Sequence, residues 1–399
     1  MLADVACIQK FGAPVLAVCG FSGSGKTTML EAAIPHLIAR GLAVAIVKHD
    51  SHGFLVDKEG KDSDRFFRAG ATVSLRGPTE QFTRRNAGSA LTLEETLSDL
   101  ARDHDLVLVE GHKDTPLPKL WVGNAETSAP PEHVTDVQGT LLWDSDRLTL
   151  FLDFIDNWLP AIWQSCPLFG GLLIGGKSSR MGTPKQLVPF GSSMLGEIAA
   201  NALMEGLNGA ERRRNVNTLG PNVAILGAGA DPDTLQHLRR LIDAPELAGP
   251  VAGLLAAHRW APRTAWILAA CDHPWLSAAD VRWLISKRRP GTWAIIPRQG
   301  DNHPCPTLAL YEPQALNVLE RSILTLGADN TRIANLFDHP RTLMPACSSR
   351  GLISVNTVQE LIAQEELYKE ESLGRTSVQG VGPHLSTSVL TVGNEETRQ

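Results

Sequence analysis

No stretch of the chain approaches the ~18 consecutive apolar residues that a membrane-spanning helix requires. A CxxC pair is missing too. The six cysteines stand apart at positions 7, 19, 166, 271, 305 and 347, a spacing that offers neither a zinc site nor a disulfide framework. They read as small buried apolar residues, and Cys19 and Cys271 close apolar runs in keeping with that. There is no basic excess. The net charge of −6 argues against a broad nucleic-acid-binding surface. The segment from Met1 to Lys10, with Asp4 in it, lacks the basic-then-apolar layout of a secretion signal. A cytoplasmic protein with no membrane and no nucleic-acid partner is the expectation.

What is present points to two domains. A length of 399 residues exceeds the roughly 100–200 of a typical single domain. The first half alternates strand and helix signals. Val15 to Cys19, Leu42 to Val47 and Leu106 to Val109 are short apolar runs of buried parallel strands. A helix is expected from Lys26 to about Arg40, with Leu30, Ala33, Ile34, Leu37 and Ile38 on one face. Pro35 should disturb it locally, and Gly41 stops it. The pattern resets between Asn157 and Phe169 without a Gly/Ser-rich tether, and Pro160 and Pro167 imply a short, stiff junction. Strands then resume at Leu172 to Ile174, Val223 to Leu226, Ala265 to Ala270 and Thr292 to Ile296. Helical patterns run from Asp231 to Leu241 and from Ala278 to Lys287. The fold class is α/β, with two doubly wound domains. After about Leu367 the chain is polar and aperiodic, which predicts a disordered tail over 367–399.

Two glycine-rich loops carry the chemistry. Gly20-Phe21-Ser22-Gly23-Ser24-Gly25-Lys26-Thr27 satisfies GxxxxGK[ST] after a strand and at the start of a helix, the context in which the motif forms a phosphate loop. Backbone N–H groups of such a loop wrap phosphates, Lys26 reaches the β- and γ-phosphates, and Thr27 holds Mg²⁺. The helix N-terminus adds favourable partial charge. Gly20, Ser22, Gly23, Ser24, Gly25, Lys26, Thr27 and Thr28 are the candidate binding residues. Glu110 ends the strand from Leu106 and stands where open α/β sheets bind ligands, so it is a candidate for positioning the metal or a water. His49 and His52 are three apart in Lys48-His49-Asp50-Ser51-His52. With no further ligand cluster they read as a polar loop near the phosphates rather than a metal site.

These stretches, with Val56 to Ser63, Ala69-Gly70-Ala71 and Leu108-Val109-Glu110-Gly111-His112-Lys113, resemble the MobB family. Its members are the adapter GTPases of molybdopterin-guanine dinucleotide biosynthesis. The likeness covers residues 14–160. It implies a P-loop NTPase-like domain that binds GTP, hydrolyses it slowly and plays an accessory role. It also implies that Asp62, Ser63 and Lys113 belong to the site.

The second loop runs from Leu173-Ile174-Gly175-Gly176 through Arg180 to Lys185. It lacks the GK[ST] ending. Adjacent glycines after a strand allow backbone contact with a phosphate, and Arg180 and Lys185 supply charge. That layout suits attack on an α-phosphate with pyrophosphate leaving, because charge develops on both sides of the transferred group. Asp272 ends an apolar strand and is the candidate Mg²⁺ ligand.

The loop and the Cys271-Asp272-His273-Pro274-Trp275-Leu276 element resemble the MobA family, the molybdenum cofactor guanylyltransferases. Gly249 to Gly253, His303 to Leu310, Val355-Asn356-Thr357 and Glu360-Leu361 extend the likeness over residues 168–364. It implies a Rossmann-like nucleotidyltransferase domain that transfers GMP from GTP to molybdopterin. Molybdopterin-synthesis proteins and apo-molybdoenzymes are the implied partners. Arg180, Lys185 and Asp272 are the implied catalytic groups, and Leu173, Ile174, Gly175 and Gly176 the nucleotide loop. Asp243 or Glu246 is the acid before the Gly249-Pro250 element, and Asn356 lies near metal or substrate.

The sequence departs from that family's pattern at Ile174, at Pro184 and at Gly227-Ala228-Gly229. A cytidylyltransferase using CTP therefore stands as an alternative, as does a GTP-regulated carrier without catalysis. The second loop alone would also permit a sugar-phosphate nucleotidyltransferase. Fusion of the two halves is expected to raise their effective concentration for each other.

Overall fold

A computed structural model describes residues 8–49, 53, 56–86, 88, 90–174, 181–214, 222–300 and 303–378. The first half contributes β1 (Val15–Gly20), α1 (Lys26–Ala39), β2 (Val44–Lys48), α2 (Asp62–Arg68), β3 (Val73–Arg76) and β4 (Gln81–Arg84). It continues with α3 (Leu93–Leu100), β5 (Leu106–Glu110), β6 (Lys119–Val122), β7 (Val137–Leu141) and α4 (Arg147–Gln164). Five strands form one sheet in the order β2-β5-β1-β6-β7, and all its pairings are parallel. Side chains alternate across each strand. Leu16, Val18, Leu106 and Leu108 pack with Leu30, Phe151 and Ile155 from α1 and α4. Val15, Ala17, Cys19 and Val109 pack on the other face with Leu97 and Trp121. A sheet buried on both faces explains why its strands read as continuous apolar runs.

The second half begins with β8 (Leu168–Leu173), β9 (Pro189–Phe190), β10 (Ser193–Met194), α5 (Leu195–Arg214), β11 (Val223–Leu226) and β12 (Arg239–Leu241). Next come α6 (Pro250–Trp260), β13 (Ala265–Ala270), α7 (Ala278–Ser286), β14 (Ala294–Ile295), β15 (Arg298–Gln299) and β16 (His303–Pro304). The half closes with β17 (Leu308–Tyr311), α8 (Pro313–Leu326), β18 (Thr342–Leu343) and α9 (Val358–Val378). Seven strands form its sheet in the order β12-β11-β8-β13-β17-β14-β18. Only β17 runs against its neighbours. Leu172, Ile225, Ile267 and Leu310 pack on one face, and Leu226, Trp266, Leu268 and Tyr311 on the other. Among the described residues, no helix is long and apolar enough to cross a membrane.

Four expectations need correction. Ile38 is exposed, and α1 buries Met29, Leu30, Ala33 and Leu37 instead. The segment from Asp231 to Leu241 is not a helix. Pro232 starts a short 3₁₀ turn over Asp233–Leu235, and Arg239–Leu241 pairs with β11 as an edge strand. A residue preceding proline is pushed out of the helical region, and here the sheet edge offers the backbone its partners. The junction near Asn157 is helix: α4 runs through Pro160 to Gln164, leaving only Ser165, Cys166 and Pro167 before β8. Finally, residues 367–378 continue α9. Tyr368 anchors it, its ring 5.3 Å from that of Phe190 and 5.9 Å from that of Trp275. Residues 379–399 lie outside the described residues.

The two sheets are joined through the edges where their parallel strands begin. Asp105, just before β5, is fully buried. Its carboxylate accepts from Ala43 N at 2.7 Å, Trp293 Nε1 at 2.7 Å, Gly291 N at 3.1 Å and Arg341 at 3.1 Å. Burial pushes its pKa up against those donors, the first of which is Ala43 N–H. Buried Gln314, at the start of α8, donates to the carbonyls of Gly12, Ala101 and His104. Asn317 donates to Arg102 O, and Arg321 pairs with Asp103. Gly12, Ala43 and Asp105 precede β1, β2 and β5, and Trp293 and Arg341 precede β14 and β18. Among the described residues, no hydrogen bond or ion pair joins the halves at the opposite edges, where the parallel strands end.

Candidate nucleotide sites at two sheet edges

The first site forms where β1 ends. A Cβ on Gly20 would collide with Val122 O, so only glycine lets the chain leave the sheet there. Lys26 Nζ, at the first residue of α1, donates to Phe21 O at 2.7 Å, Gly20 O at 3.1 Å and Ser24 Oγ at 3.2 Å. Burial lowers its pKa, and Glu110 opposes that shift. Thr27 Oγ1 donates to Glu110 Oε1 at 2.6 Å, and Lys48 Nζ stands 3.6 Å from Glu110 Oε2. Residues 83 positions apart thus meet because β1 and β5 are neighbours. Hydroxyl and carboxylate at one point form an all-oxygen donor pair of the kind a hard divalent cation takes.

Other candidates lie further out. Ser63 Oγ donates to Asp57 Oδ1 at 3.0 Å, and exposed Asp62 pairs with Arg65 at 3.7 Å. Lys113 is exposed on the turn after β5. Among the described residues none of the three touches the Lys26–Thr27–Glu110 group. His49 stacks edgewise on His112 with ring centroids 5.3 Å apart; His52 lies outside the described residues.

The second site is assembled from three distant segments. Asp272 follows β13, Lys185 opens a 3₁₀ turn after Pro184, and Asn356 precedes α9. Lys185 Nζ donates to Asp272 Oδ2 at 2.9 Å and to Asn356 Oδ1 at 2.8 Å. Val355 N–H bonds Asp272 O at 2.9 Å, tying the last segment to the strand end. Glu360 Oε2 accepts from the N–H groups of Asn356 and Thr357, so the start of α9 holds Asn356 in place. Asp272 Oδ1 is buried and accepts no hydrogen bond among the described residues, with His273 Nε2 3.7 Å away. A carboxylate oxygen without a hydrogen bond fits a cation ligand, because burying it unpaired is costly.

Asp243 and Glu246 separate cleanly. A Cβ on Gly253 would sit 3.2 Å from Asp243 Oδ1, which places that carboxylate at the strand-end edge. Burial raises its pKa. Glu246 is bound to Arg259 at 2.5 Å instead. Leu173 and Ile174 close β8, with Ile174 N bonded to Leu226 O at 3.0 Å. Gly175, Gly176 and Arg180 lie outside the described residues. A cavity of about 540 Å³ adjoins this edge, sharing Gly249, Pro250 and Pro306 and lined beyond them by Arg332.

Residues 15–141 match the family described as molybdopterin guanine dinucleotide synthesis protein B, MobB. Residues 170–339 match the MobA-like NTP transferase domain. The molybdopterin-guanine dinucleotide biosynthesis adapter protein of Haemophilus influenzae is 39% identical over 160 residues, spanning 37% of this chain and 89% of that protein. The chain belongs to the MobB family. Its second half makes it a MobB fused to a MobA-like NTP transferase domain, a protein of molybdenum cofactor biosynthesis. The molybdenum cofactor biosynthesis bifunctional protein of Synechocystis is 28% identical over 157 residues, 39% of this chain and 42% of that protein. The probable molybdenum cofactor guanylyltransferase of Rhodopirellula baltica is 27% identical over 202 residues, 49% of this chain and 90% of that protein.

Several residues that shape this MobB fusion carry no signal in the sequence. Arg147, at the start of α4, donates to Ser24 O at 2.5 Å and Gly123 O at 2.7 Å, bracing the back of the first loop. Buried Gln186 donates to Ala230 O at 2.6 Å. Arg240 donates to Gly229 O at 2.9 Å. Together they fix the Gly227-Ala228-Gly229 turn, and a Cβ on Gly227 would collide with Ile174 O. Each acts across the fold on a backbone carbonyl, and only the tertiary structure chooses which.

Proposed function

We propose that the second half transfers GMP from GTP to the terminal phosphate of molybdenum-loaded molybdopterin. The convergence of Lys185, Asn356 and the open oxygen of Asp272 carries this reading. An oxygen of the acceptor phosphate attacks the α-phosphorus of GTP. A new P–O bond forms, the α–β bridging bond breaks, and pyrophosphate leaves. Lys185 sits where it neutralises charge on the transferred group, and Asn356 fixes its ammonium. Asp272 would hold Mg²⁺, which supplies charge neutralisation on the leaving pyrophosphate. Asp243 is the acid placed to contact the nucleotide. The cavity beside Gly249 has room for the acceptor, with Arg332 to meet its phosphate. Residues 168–364 form this transferase unit.

Residues 14–160 form the accessory unit. Gly20 to Thr28 bind GTP, with Lys26 on its phosphates and Thr27 with Glu110 on Mg²⁺; hydrolysis is slow. Asp62, Ser63 and Lys113 join this site only if their segments move toward it. Molybdopterin-synthesis proteins and apo-molybdoenzymes in the cytoplasm are the natural partners.

Purified protein given molybdenum-loaded molybdopterin, GTP and Mg²⁺ should release pyrophosphate and yield the dinucleotide by chromatography. Absence of dinucleotide overturns the reading. The Gly227-Ala228-Gly229 turn favours a second version in which CTP replaces GTP, and competition between the two nucleotides decides it.

A further inference from the structure

We infer, resting on the transfer proposed above, that α9 clasps the second site and that Tyr368 and Gln364 are its positioning residues. Both lie beyond residues 170–339, the stretch that matches the MobA-like domain. Leu361, Gln364, Tyr368 and Glu371 follow one another at helical spacing, which puts them on one face of α9. That face is buried or partly buried, while the opposite side, with Ile362, Glu366 and Glu370, is exposed. A single stripe therefore holds the helix. An element with so few buried contacts opens more readily than the sheet beneath it.

The stripe grips both segments that deliver the reacting side chains. On the Lys185 side, the 3₁₀ turn runs into the β9–β10 hairpin, and Val188 N–H returns to Lys185 O at 3.1 Å. The Tyr368 ring rests on this hairpin, 5.3 Å from the ring of Phe190. It also lies so close to Gly191 that a Cβ there would come within 2.8 Å of it. Gly191 turns the hairpin at φ +62°, so the turn and the contact require the same glycine. On the Asp272 side, Trp275 Nε1 donates to Gln364 Oε1 at 2.8 Å, and the Trp275 and Tyr368 rings are 5.9 Å apart. Phe190 and Trp275 stand 5.7 Å apart, so the three rings close a triangle. Arg350 lies over Trp275 and pairs with Glu371, at the far end of the stripe.

Asn356 heads the same helix, and Lys185 bonds both it and Asp272. Seating α9 brings all three groups to one point. Lifting it withdraws Asn356 and frees the other two segments from each other. A nucleotide bound across the three must favour the seated helix as strongly as seating favours its binding.

The full chain carrying Lys26→Ala, which silences the first half, serves throughout the test. Amides of residues 361–371 should gain protection from hydrogen exchange when GTP and Mg²⁺ are added, with CTP and Mg²⁺ as a second arm. Protection by neither nucleotide overturns the clasp. An equal gain in α8, at the strand-start seam, means stabilisation of the whole half and also overturns it. Tyr368→Ala should lower kcat/KM for pyrophosphate release at least about tenfold. The loss should fall mainly on KM, because saturating nucleotide reseats the helix. A variant that had merely lost folded protein would lower kcat and leave KM unchanged, and that result overturns the role of Tyr368. Tyr368→Phe keeps the ring and should stay close to the unaltered chain; an equal loss in both variants overturns it too. If the unaltered chain transfers nothing, the proposed reaction fails, while the exchange arm, which needs only binding, still decides the clasp.

Discussion

The two candidate nucleotide sites are built on opposite plans. In the first, one loop of eight consecutive residues supplies most of the groups, and a single strand neighbour adds Glu110. In the second, Lys185, Asp272 and Asn356 come from segments separated by up to 171 positions. A local site tolerates change elsewhere in the fold. A dispersed site depends on every segment that delivers a residue. The cap of α9 and the 3₁₀ turn at Lys185 are therefore as much part of the second site as Asp272 itself.

The contrast is tested most sharply at Asp272. Its replacement by alanine should cost transfer about 10³-fold, the scale of losing a main electrostatic stabiliser, with the melting curve unchanged. Lys26→Ala should instead abolish nucleotide binding in the first half and leave transfer mostly intact. If Lys26→Ala removed transfer as well, the plans would be coupled rather than separate. Next in size is the seam. Asp105→Ala strands four donors at once and should destabilise the chain by about 3 kcal/mol, splitting its thermal transition into two. A single unshifted transition would show that the halves dock without it.

Asn356→Ala removes one of the two groups that hold Lys185, so a fall of about tenfold is expected, with kcat rather than KM affected. Asn356→Asp should keep the lysine in place but pair it more tightly, weakening its contact with the substrate phosphate. The smallest effect lies in the first half at Asp64. Gly60 N–H, then Arg84, hold its carboxyl down at about 2, below the 3.8 of a free aspartate. A depressed acid stabilises the fold fully above its unfolded pKa and loses that contribution as pH falls through 2. Acid unfolding of Asp64→Asn should lack this component, and identical profiles would show that Asp64 has no such role.

The same contrast governs what the sequence revealed. The first loop was legible because its glycines, lysine and threonine are contiguous and must be. Both sheets were legible because their strands are buried on both faces and show as apolar runs. Of the second site, Asp272 stood out at a strand end, while Asn356 entered through family likeness. Gln186, Arg147 and Arg240 were invisible, since each serves a carbonyl that only folding brings near. Asp231 to Leu241 misled because its periodicity fits a helix, whereas Pro232 and an open sheet edge decide otherwise. Tyr368 misled differently: a lone aromatic in a polar stretch reads as nothing until it meets Phe190.

The seam at the strand-start edges sets the traffic this molecule can carry. β1 and β8 each span six residues, about 20 Å at ~3.3 Å per residue. The seam holds the halves together at strand starts, while Glu110 and Asp272 stand at strand ends. Only three residues link α4 to β8, so the chain gives the two halves little slack. Fusion fixes a one-to-one supply of the two halves.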